Sequence, residues 1–112
     1  MELKNLAESV SRVPRGVARR SLSRKLLLQL LALQPGLSLG ALALRLGVQE
    51  NRLRHFEDGQ MLMPLDVQGR LSAFVLAHEP RLQRHAHRLR LQVDAARRYE
   101  AGEVVRHMTS PP

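Results

Sequence analysis

Residues 38–59 read SLGALALRLGVQENRLRHFEDG, and this stretch decides the fold. Ser38 is a good N-cap, and the apolar run behind it predicts a short helix to about Leu46. Gly47 closes that helix, because the turn that follows needs a residue able to take a left-handed backbone. A second short helix is expected from about Gln49 to Asp58, stopped by Gly59. The spacing is that of two helices crossing steeply about a tight turn. Ala43, four positions before Gly47, is the small residue that admits the second helix. Val48 plugs the turn, Leu53 and Phe56 face the first helix, and Leu42 and Leu46 complete the small core. The pattern is a helix-turn-helix.

Upstream, a helical pattern resumes from Val17, with Leu22, Leu26, Leu30 and Leu33 on one face and Leu27 and Leu31 beside them. Pro35-Gly36 terminates it. Earlier still, Leu3, Leu6, Val10 and Val13 make at best a short amphipathic helix, broken at Pro14 and Gly16. Downstream, the loop from Gln60 to Met63 is either tucked on the core or a docking surface. Pro64 or Asp66 then starts a helix that turns Val67, Leu71, Phe74 and Val75 inward and ends near His78. Pro80 begins a last helix reaching about Ala101. Its Leu82, Ala86, Leu89, Val93 and Ala96 recur at alternating gaps of four and three, a narrow seam suited to a partner helix. The expected organisation is a flexible basic arm over 1–16, a helix-turn-helix domain over 17–79, a C-terminal helix over 80–101 and a disordered tail over 102–112.

Composition sets the class. Among 112 residues, 44% are hydrophobic but only 3% aromatic, and leucine and alanine dominate the apolar supply. Those residues favour helices over strands, so an all-α fold is expected, a compact domain of about five helices. The net charge is +8, pointing to a polyanionic partner. It is divided unevenly: residues 1–37 carry +5, residues 38–79 carry −1, and residues 80–112 carry +4. Arg84, His85, Arg88, Arg90, Arg97 and Arg98 are either a phosphate-tracking face or the solvated side of the last helix. The absence of cysteine excludes disulfides and thiolate zinc sites. His85 and His87 point to different helix faces, and His55, His78 and His107 are scattered, so no metal is expected. No phosphate-cradling glycine loop or nucleophile–base set is visible, so neither an enzyme nor a cofactor is expected. The run from Leu26 to Leu33 is too short to cross a bilayer, and the N-terminus lacks the order of a secretory signal, so a cytoplasmic protein with no membrane partner is expected.

The central stretch resembles the Xre-like DNA-binding domains of the lambda-repressor and Cro type. The resemblance rests on Leu42-Ala43, Leu46-Gly47-Val48, Leu53, Phe56-Glu57 and Gly59, with Leu71 and Leu76 in the helix after Pro64, and it covers roughly residues 22–78. It implies a compact helical domain whose third helix lies in the major groove, as in a bacterial or phage repressor. By position, Gln49, Glu50, Asn51 and His55 would face base edges. Asn51 would pair with adenine, and Glu50 would accept from a cytosine amino group. Ser38, Arg45, Arg52 and Arg54 would reach phosphates, joined by Arg15, Arg19 and Arg20 from the arm. Two positions depart from the family: Leu39 stands where a glutamine usually holds a phosphate, and Gln49 where Ser or Thr usually caps the reading helix.

The expected partner is therefore double-stranded DNA, bound by a homodimer paired through Leu82, Ala86, Leu89, Val93 and Ala96. The alternative for that seam is a helix packed back on its own domain. The alternative function is an interaction module of adaptor or antitoxin type, which keeps the helix-turn-helix as a scaffold and binds a protein through its leucine-rich surface.

Overall fold

A computed structural model of the chain describes residues 21–101. The proposed arm and tail lie outside the described residues. Among the latter every regular element is helical: α1 (Leu22–Leu33), α2 (Leu39–Leu46), α3 (Glu50–Glu57), α4 (Leu65–His78), a 3-10 turn at Pro80–Leu82, and α5 (Gln83–Glu100).

The helix starts follow local chemistry. The Ser21 hydroxyl oxygen accepts from the Arg24 N–H at 3.2 Å, and Ser21 itself is extended at φ −64°, ψ 147°. The first helix therefore does not run through Ser21 from Val17, as its apolar pattern suggested, because a capping serine sets the start. Ser38 caps α2 in the same way, accepting from Ala41 N–H at 3.1 Å. At its other end Gly47 takes φ 68°, and its N–H reaches back to Leu44. The α4 helix begins after Pro64, and the loop before it is pinned where Gln68 donates to the Met63 carbonyl. Met63 is buried and Leu62 half-buried, while Gln60 and Met61 are exposed, so only the second half of the loop is tucked in.

One core unites all five helices. Leu26, Leu27 and Leu30 of α1 meet Leu42 and Leu46 of α2, Leu53 and Phe56 of α3, Leu71 and Val75 of α4, and Leu89 and Val93 of α5. Each such side chain contributes about 1.5–3 kcal/mol on leaving water. Phe74 is half-buried against the core and also tilts against the His78 ring, with centroids 4.5 Å apart.

Here the structure corrects one expectation. The seam assigned to a dimer is covered within the monomer: Leu82, Ala86, Leu89 and Val93 are buried and Ala96 half-buried, with α5 packed along α4 and touching α1. A narrow apolar stripe needs a helical partner, and α4 supplies it. The C-terminal helical segment does begin at Pro80, and α5 completes the core begun by α1.

The helix ends share a less obvious device. The final carbonyls of four helices are each closed by a side chain from elsewhere. Arg81 reaches Leu33 of α1 at 3.4 Å, and Arg70 reaches Leu46 of α2 at 2.9 Å. Arg24 reaches Glu57 of α3 at 2.8 Å, and Gln34 reaches His78 of α4 at 3.2 Å. Helix C-termini carry unpaired carbonyls and partial negative charge, so guanidinium donors suit three of them well. Glu79 organises one corner of this arrangement. Its carboxylate, almost wholly buried, accepts from Arg81 Nε, Arg81 Nη2 and Gln34 Nε2.

Candidate nucleic-acid interface

The turn Gly47-Val48-Gln49 delivers α3 with one side on the core and the other uncovered. Leu53 and Phe56 are buried, and they hold α3 against α1 and α2. Gln49, Asn51, Arg52 and Arg54 are exposed on the remaining circumference, and His55 is half-buried. Asn51 and His55 are one helical turn apart, so they share a face. At about 1.5 Å rise per residue, eight residues make a rod about 12 Å long, and a helix diameter of about 10–12 Å fits the major groove.

Two of the expected contact residues are paired with each other. Glu50 and Arg54, predicted to read a base and to hold a phosphate, bind each other: Arg54 Nη2 donates to Glu50 Oε2 at 2.8 Å. The other oxygen, Oε1, lies over Gly40 near the start of α2, so close that a Cβ at Gly40 would stand 2.7 Å away. Gly40 is therefore the residue that lets α3 seat its first carboxylate on α2. The four-residue spacing of Glu50 and Arg54 was a legible signal for the pair; nothing in the spacing signals the contact with Gly40.

The phosphate candidates divide likewise. Ser38 uses its oxygen as a cap, leaving the hydroxyl hydrogen to donate outward. Arg45 sits exposed in the last turn of α2, and Arg52 is exposed beside Asn51. Arg15, Arg19 and Arg20 lie outside the described residues. Leu39 packs partly onto the core, so its face does not offer the polar contact of the resembled family. Around the interface the charges nearly cancel, since Glu50, Glu57 and Asp58 offset Arg52 and Arg54. Sequence reading missed Arg70 and Arg24, whose guanidinium groups hold the ends of α2 and α3 and so fix the pose of the motif.

Among the described residues no group of three His, Cys, Asp or Glu is arranged to hold a metal ion, and no helix is long and apolar enough to cross a membrane. No family model, curated protein or solved structure matches the chain.

Proposed function

We propose that the protein is a sequence-selective DNA-binding regulator of repressor type that reads double-stranded DNA by laying α3 in the major groove. The observation that supports this best is the uncovered outer face of α3, held rigidly by the Gly47 turn and carrying Asn51, with Gln49, Arg52 and His55 around it. An asparagine amide matches the N6/N7 edge of adenine with one donor and one acceptor. Arg52 and Arg45 supply phosphate contacts, which position without specifying. Glu50 is not retained among the base readers, since its carboxylate is engaged with Arg54. So short a reading helix contacts few base pairs, and pairing of two chains on two half-sites belongs to the proposal; the buried seam of α5 is not the surface that pairs them.

The test is selection of duplexes from a random pool, followed by titration of the parent and Asn51→Ala. The expected result is a loss of about 1–3 kcal/mol on the selected site, with relaxed preference at one base pair. Equal binding by the two would remove Asn51 from the readers, and failure to enrich any duplex would remove the proposal. A second reading, a protein-interaction module, is favoured by one observation: Leu44 is 82% exposed on the outer side of α2. That reading takes precedence for a chain with no salt-dependent affinity for duplex DNA.

A further inference from the structure

Glu50 is the one acid in the first turn of α3, and its two oxygens have different neighbours. Oε2 accepts from Arg54 Nη2 at 2.8 Å, while Oε1 rests over Gly40. Both side chains remain about half exposed, so the pair is solvent-facing and weakly held. Arg54 therefore has its guanidinium turned along α3 toward its first turn, where α3 meets α2. A phosphate approaching that junction meets the arginine already paired with a carboxylate.

We infer that Glu50 masks Arg54, and that duplex binding exchanges the ion pair: Arg54 leaves the carboxylate for a backbone phosphate, and Glu50 remains behind as a like charge. The inference rests on the DNA-binding reading and deepens it, because it makes Glu50 a brake on affinity for every sequence rather than a reader of cytosine. Arg54 is suited to the exchange. Its planar donors accept carboxylate or phosphate in the same geometry, and phosphate presents the stronger field along a duplex. Gly40 leaves room for this placement, since a Cβ there would come within 2.7 Å of Oε1.

Substitution at Glu50 separates the possibilities by sign. A fluorescein-labelled random-sequence duplex is titrated with the full chain as the parent, Glu50→Gln, Arg54→Met and the double variant, at low salt. Glu50→Gln should bind up to about fivefold more tightly, the gain expected when one exposed ion pair no longer has to be broken to free Arg54. The gain should shrink markedly in the Arg54→Met background, because there is then no arginine to unmask. Unchanged or weaker binding by Glu50→Gln overturns the inference, as does an equal gain with and without Arg54. A parent and a Glu50→Gln variant that both ignore the duplex overturn the DNA-binding reading itself, a different failure.

Discussion

Arg70, in α4, donates through Nη1 to the carbonyl of Leu46, the last residue of α2, at 2.9 Å. The same guanidinium lies beside Gly47, where a Cβ would come within 3.2 Å of Nη1. One side chain from the far side of the motif thus closes the helix and lines the turn that aims α3. The hydrogen bond is charge-assisted and sits at the negative end of α2, so its strength comes from two sources.

Arg70→Met should keep the packing of the side-chain stem and lose the donor. The expected cost is about 1–2 kcal/mol in urea unfolding, the range for a partly exposed bond from a charged group. Arg70→Lys should recover only part of it, because an ammonium cannot reproduce the planar donor set. An unfolding midpoint unchanged in Arg70→Met would show that the bond contributes nothing net.

Acid should loosen the corner held by Glu79. The side-chain hydrogen bonds from Arg81 and then Gln34 lower its pKa from 4.5 to about 2, against the opposing effect of burial. A carboxylate with a lowered pKa in the folded state contributes stability that is fully present above the unfolded value. That contribution is lost as pH falls from about 4.5 toward about 2. Thermal melts across this window should show the parent losing stability more steeply than Glu79→Gln. Parallel acid limbs for the two proteins would assign the acid sensitivity to other groups.

Leu89 lies at the centre of the seam that α5 buries on α4. Leu89→Ala should cost about 2–5 kcal/mol, the range for deleting a core leucine. Its unfolding midpoint should not depend on protein concentration, since the contact is internal. Leu89→Glu should fail to fold. A midpoint that rises with concentration in the parent would instead place a subunit contact within the stability of the fold.

The helices were legible where the chain carries its own punctuation. Ser38, Gly47, Pro64 and Pro80 each mark a boundary that the structure reproduces within a residue or two, because caps and backbone restrictions act locally. The heptad spacing of α5 was legible as a buried stripe, but spacing alone does not say which helix covers it, and an internal partner leaves the same trace as a second chain. The exposed face of α3 followed from the positions of Leu53 and Phe56. The engagement of Glu50 with Gly40, and of Arg24 with Glu57, depends on crossing distances between helices, which no periodicity encodes.

The four borrowed closures at the ends of α1 to α4 bear on how the molecule comes apart. Terminal turns ordinarily fray singly and at little cost, because water replaces what the last carbonyls lose. Here each terminal turn is joined to a side chain from another part of the chain, so loosening one tip removes a clasp between two segments. Amide exchange at the ends of α2 and α3, closed by Arg70 and Arg24, should therefore be slower than at an ordinary frayed helix end. Under the proposed DNA-binding function, the ordering cost of binding would fall mainly on exposed side chains such as Asn51 and Arg52.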